Sequence, residues 1–373
     1  MNNRIILVLF VFVALIFTSG CNSNTPEEET TFDTGGISVE FMPGAPPEQI
    51  SEDDIAFDLN VKIENEGEYD IDEYTVDDDG VRDGDLISVF LLGVNPATIG
   101  LCNQEQVIDE SGELLYEEDG ETKVMANVCK TEQSHTEGLG GAHYVSSDLI
   151  PGELTYLEWL NGNGESPFYD LSISSDQKLT FVAQVCYPYK TVATASACFS
   201  DNAYAQATGS ETCSVSGEKK VSNTVAPIKV TKVVENPAGR DKANDAGKYA
   251  FTFTVENVGG GTVYSNNKSI SECATLGVAP LNANQIEVES VSVGGLVKSE
   301  CFKNTVFDED TDELVSYDTG RITLVEGKGT YTCTVSQQSI SGDYSDVIEI
   351  RLAYNYYAQT KHNMIVKNSL DFE

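Results

Sequence analysis

The sequence predicts an all-β fold, arranged as two tandem β-sandwich domains behind an N-terminal export segment. Three observations carry that reading. Apolar residues alternate with polar ones along short segments, as in Ile55, Phe57, Leu59, Val61 and Ile63, which is the period of a half-buried strand. Gly, Pro and Asn close these segments at short intervals, and no long stretch keeps the helical period. Several short motifs occur twice, in the same order, in the two halves of the chain.

The export segment comes first. Arg4 precedes an unbroken apolar run from Ile5 to Phe17, and Thr18, Ser19, Gly20 and Cys21 follow. A positive start, an apolar stretch shorter than the about 20 residues of a membrane span, and small residues after it make a secretory signal over 1–20. The small-small-Cys ending resembles the lipobox of prokaryotic lipoproteins. That resemblance implies that Cys21 is lipidated and that the protein is extracytoplasmic, anchored to the cell membrane or cell surface. An ordinary cleaved signal would export the same chain without lipid. Residues 22–36 are polar and acidic and extend the lipidated cysteine into a tether, 21–36 in all.

The first domain is expected over 37–224. It opens on the alternation Ile37, Val39 and Phe41 and is broken by Pro43, Gly44, Pro46 and Pro47. It resumes with the strand that ends at Asn65-Glu66-Gly67. The second domain is expected over 225–369, with 370–373 as a tail. Its first strand carries Ile228, Val230 and Val233. Its second carries Tyr249, Phe251, Phe253 and Val255 and closes at Asn257-Val258-Gly259. Residues 63–67 align with 255–259, Gly152-Glu153-Leu154-Thr155-Tyr156 with Gly327-Lys328-Gly329-Thr330-Tyr331, and residues 185–189 with 352–356. Such order argues for a duplicated domain whose surface loops differ in length. The strand ending in Asn-x-Gly resembles the second strand of immunoglobulin-like modules in prokaryotic surface proteins, the CARDB type in particular. The resemblance implies two immunoglobulin-like β-sandwiches, each enlarged by insertions beyond the usual 100 or so residues. The largest insertion in the first copy lies between Gly100 and Leu149.

Composition limits the function. There are 60 acidic and 22 basic residues, for a net charge of −38, which repels nucleic acid and anionic lipid. It suits a solvated exterior, divalent cations, a salty medium or a basic partner. Hydrophobic residues at 40% supply real cores and exclude a disordered chain. Nine cysteines, less Cys21, leave an even set, which in an exported protein predicts disulfides. The expected pairs are Cys102 with Cys129 and Cys273 with Cys301, at near-equal separations, and Cys186 with Cys198 across a hairpin at Thr191–Thr194. Cys213 and Cys333 are left over.

Other candidates are weighed against plainer roles. Asp77, Asp79, Asp83 and Asp85 lie in an Asp-rich segment with Gly80, a pattern that supplies oxygen ligands to calcium. The segment resembles thrombospondin type-3 repeats at Asp77, Asp79, Gly80, Val81 and Asp83. A solvated acidic loop has the same composition. Cys129, His135 and His143 match no zinc spacing. Tyr187 and Tyr189, and Tyr354 and Tyr356, each share a strand face. They suit a stacking surface for sugars or partner strands, or cross-strand pairs and a structural tyrosine corner. Asn267 heads a glycosylation sequon. No nucleophile elbow, phosphate loop or metalloprotease motif is present. The chain is therefore expected to be a non-enzymatic surface lipoprotein, a structural or adhesive module binding an envelope protein or glycan. The alternatives are a ligand-binding lipoprotein that uses the 100–149 insertion and a glycoside hydrolase with a carboxylate pair.

Overall fold

The structure, a computed structural model, describes residues 35–52, 56–76, 82–83, 85–106, 125–146, 148–161, 163–169, 171–200, 213–241, 246–266, 270, 273, 283–298, 301, 304–308, 313–317, 320–338 and 342–368. Twelve strands carry the architecture. In the first half they are β1 (Ile37–Phe41), β2 (Asn60–Asn65), β3 (Ile87–Leu92), β4 (Glu132–His135), β5 (Leu154–Glu158) and β6 (Gln177–Phe199). In the second they are β7 (Ile228–Asp241), β8 (Ala246–Asn257), β9 (Gln285–Val293), β10 (Gly320–Thr323), β11 (Lys328–Gln338) and β12 (Tyr344–Lys367). The fold is all-β, as the period-two pattern predicts, and its labelled strands pair antiparallel.

The halves repeat one another strand for strand. One sheet runs β1-β2-β5, and a second runs β7-β8-β11 with Gly217–Lys219 added on the outside of β7. β3 and β4 extend from β6, and β9 and β10 extend from β12. A hairpin interrupts each half at the same point. Cys102–Gln106 pairs with Met125–Cys129 between β3 and β4, and Asn304–Asp308 pairs with Glu313–Tyr317 between β9 and β10.

The expected boundary at 224/225 separates the two strand sets in sequence, yet β3, β4 and β6 of the first half and β9, β10 and β12 of the second belong to one 10-stranded sheet. β6 pairs with β12 without a register break from Gln177↔Val366 to Phe199↔Tyr344. Residues 34–373 form one compact unit, and a single apolar core runs through both halves, from Leu59, Val61 and Val185 to Val230, Phe251 and Leu352.

The hairpin expected at Thr191–Thr194 is absent, because β6 continues straight through it. Pro188 does not stop the strand. Val192 N–H donates to Thr224 Oγ1 at 3.0 Å and Cys198 N–H to Glu235 Oε2 at 3.0 Å, both away from β12. Even-numbered residues therefore turn their nitrogens away from β12, and Pro188 falls where that side carries no ladder, between Cys186 and Ala193.

The straight strand also corrects the disulfides. Cys186 and Cys198 lie on one extended segment and point to different partners. Cys186 bonds Cys273, Cys198 bonds Cys213, Cys301 bonds Cys333, and Cys102 bonds Cys129 as expected. The expected Cys273–Cys301 pair is thus replaced, and neither Cys213 nor Cys333 is left over. Cys186–Cys273 joins the halves inside a small apolar cluster with Phe90, Tyr264 and Ile270. Peptide mapping under non-reducing conditions is expected to recover these four cross-links. A peptide linking Cys273 to Cys301 would contradict the fold.

Candidate functional site

The middle of the β6–β12 ladder is built on a local two-fold. Tyr187 stands opposite Tyr356, Pro188 opposite Asn355, and Tyr189 opposite Tyr354. All four tyrosines are buried, none more than 2% exposed, with neighbouring ring centroids 5.6 to 6.3 Å apart. They form no surface for sugar stacking. Residues two apart on a strand share a face, and this face is the core, so the structural corner is what the repeated tyrosines build.

The corner is made twice. Tyr189 O–H donates to Asn65 Oδ1 at 3.1 Å and accepts Tyr69 N–H at 3.3 Å, while Asn65 Nδ2 donates to Tyr69 O at 2.8 Å. Tyr356 O–H donates to Asn257 Oδ1 at 3.0 Å and accepts Gly261 N–H at 2.9 Å, while Asn257 Nδ2 donates to Gly261 O at 3.0 Å. The glycine of Asn-x-Gly follows from this contact. A Cβ on Gly67 would lie 2.0 Å from the Tyr189 hydroxyl, and one on Gly259 would lie 2.4 Å from that of Tyr356. The inner pair has its own partners: Tyr187 bonds the backbone of Ile37, and Tyr354 bonds the backbone of Ile228 and lies 2.9 Å from Thr191 Oγ1. Burial raises every one of these phenols, Tyr356 to about 12.

The surface differs between the halves more sharply than the tyrosine corner does. On the first half the hairpin His143–Val145 with Asp148–Ile150 is exposed on every described residue of both strands. It carries Tyr144, Val145, Leu149 and Ile150, with Tyr144 opposite Leu149. Its base is pinned to the first corner. Ala142 N–H donates to Gly67 O at 2.6 Å, Gly141 N–H to Asp70 Oδ1 at 2.7 Å, and Gly140 N–H to Glu153 Oε2 at 2.9 Å. β5 follows directly, with Leu154 and Tyr156 exposed on the outer face of its sheet. The matching positions of β11 are Lys328 and Thr330, since Asn65 N–H donates to Glu153 O as Asn257 N–H donates to Gly327 O. The sequence alignment of Tyr156 with Tyr331 is therefore one residue out. In a strand that slip reverses the face, which is why Tyr156 meets solvent while Tyr331 packs on Phe253.

Other candidates stand as follows. Cys21, Asp77, Asp79 and Asn267 lie outside the described residues, and so does the Asp83 side chain. Asp85 is half-buried and committed locally: its Oδ2 accepts Tyr69 O–H at 3.1 Å, and burial raises its carboxyl despite that bond. Cys129 is bonded to Cys102, away from any zinc role with His135 and His143. Among the described residues no three His, Cys, Asp or Glu converge as a metal would require. An open trough of about 800 Å³ runs beside Lys190 and Arg351, but Glu289 and Glu349 neutralise them at 2.9 and 2.8 Å. Sequence reasoning missed the exposed hairpin and β5. Apolar residues on both faces of one strand, Leu154 and Tyr156 against Leu157 and Trp159, were the available signal. No family model matches the sequence, and no curated protein is similar enough to count as a relative.

Gly67→Ala is expected to destabilise by about 1–3 kcal/mol and Tyr189→Phe by about 1–3 kcal/mol. The double variant should fall short of their sum by about 1 kcal/mol in urea unfolding, because either change breaks the same corner. Strict additivity would separate them. Alkali supplies a second check. A phenol's unfolded value is about 10, and the folded values here are higher, so above pH 10 the unfolded chain sheds protons that the native state keeps. Stability should fall through that window, with tyrosinate absorbance at 295 nm rising together with loss of β circular dichroism. Ionisation of these tyrosines in a still-folded protein would contradict the buried cluster.

Proposed function

We propose that the chain is a lipid-anchored, extracytoplasmic, non-enzymatic protein that acts as a structural or adhesive module, docking an envelope protein or glycan. The observation that carries this reading is the exposed apolar surface between Tyr144 and Tyr156, set on a pinned hairpin and a strand at a sheet edge. Soluble proteins rarely expose such clusters without a partner for them. The export segment with Cys21 supports the address, and four disulfides suit an oxidising compartment. The immunoglobulin-like reading of the two halves is favoured by their shared strand order and their repeated tyrosine corner. Rigid β frames of this kind present loops and edges for binding.

Cross-linking on intact source cells, followed by mass spectrometry of the captured species, tests the proposal. Reproducible links to one envelope component are expected. Recovery of the chain alone at good yield would overturn the adhesive reading in favour of a small ligand.

A further inference from the structure

Resting on that adhesive reading, we propose that the free edge of β5 receives an extended cationic segment of a partner polypeptide, which adds to the β1-β2-β5 sheet as a fourth strand. The backbone supplies the geometry. Asn65 N–H donates to Glu153 O at 3.0 Å and Trp159 N–H to Leu59 O at 3.0 Å. Ladder bonds alternate along an antiparallel strand, so the odd-numbered residues of β5 bond β2. Leu154, Tyr156 and Glu158 therefore turn their N–H and C=O groups the other way. Among the described residues no strand pairs with that side. An incoming strand would satisfy these groups and cover Leu154 and Tyr156, which are 45% and 56% exposed.

Charge selects the occupant. Between Thr131 and Gln177 the chain has eight acidic residues, Glu153 and Glu158 among them, and neither lysine nor arginine. Lys62, the cation beside Tyr156 on β2, is held by Glu40 at 3.2 Å and Glu64 at 3.0 Å. A second copy would bring the same acidic segment and a net charge of −38 against it. The tether, with Glu27, Glu28, Glu29 and Asp33, has the same sign. A segment alternating Lys or Arg with apolar residues meets the edge, the exposed side chains and the field together.

The test is fluorescence anisotropy of a labelled ten-residue peptide of alternating Lys and Val, titrated with the full chain in detergent micelles. A Glu-Val peptide serves as the control. The Lys-Val peptide should bind, and the control should not. Binding should weaken about tenfold or more at high salt and about tenfold or more in Tyr156→Pro, which removes an N–H already outside the ladder. If circular dichroism shows that variant unfolded, Tyr156→Lys places a cation at the edge with the backbone intact and should show the same loss. Equal binding by a folded variant would mean bulk charge attraction and would overturn the proposal, as would no binding by the unmodified chain. Sedimentation showing a dimer that Tyr156→Lys abolishes would also overturn it, in favour of a second copy. Cross-linking on cells reads separately: a partner captured through other surfaces would preserve the adhesive reading while this edge proposal fails.

Discussion

The uninterrupted pairing of β6 with β12 is the constraint on which the rest of the molecule depends. A strand of 23 residues is far longer than the usual five or six, and it persists because partners line it on both sides. β3 hangs from one outer edge and β9 from the other, so each half's share of the 10-stranded sheet is placed by the same ladder. At its centre four tyrosines bring four hydroxyls into an apolar interior. An unpaired buried hydroxyl would cost about 1–3 kcal/mol, and here each one bonds to a backbone group or an asparagine of the neighbouring sheet. The cluster therefore fixes how the sheets face each other as well as filling the space between them.

The local two-fold explains why the corner recurs with so little change. Tyr189 pairs across the ladder with Tyr354, and its counterpart in the second half, Tyr356, pairs with Tyr187. The corner tyrosines Tyr189 and Tyr356 are linked by two successive ring contacts, through Tyr187 or through Tyr354, so the two corners share one aromatic cluster. No such coupling acts on the outer sheets. There β5 exposes Leu154 and Tyr156, while β11 exposes Lys328 and threonines on a repeated backbone. Surface chemistry differs between the halves here, while the tyrosine corner recurs.

Much of this was legible in the sequence for physical reasons. Alternation shows a half-buried strand directly, and Asn-x-Gly marked the turn that Tyr189 and Tyr356 close. What was not legible depends on distance along the chain. Nothing local tells Cys186 to prefer Cys273 over Cys198, since that choice follows from β6 running straight past Thr191. The sharing of one sheet by both halves is likewise a pairing between distant segments. The Tyr156 alignment failed differently: a single-residue slip is invisible in a five-letter motif but exchanges the two faces of a strand. The exposed edge lay behind that error, because Tyr156 aligned with Tyr331 would have pointed inward.

An open strand edge beside exposed apolar residues is a hazard for any protein, since it templates pairing with another copy. Edges are often guarded by lysine or proline, and β5 has neither. Its guard is the field around it. Like-charged copies must bring their acidic segments together before any ladder bond can form, and the cost of approach rises with each carboxylate that is desolvated. The same field lowers the barrier for a strand of opposite charge. One arrangement of acidic residues thus opposes self-pairing and favours a cationic partner, so in this chain the protection of the edge and the selectivity of the proposed site have the same physical origin.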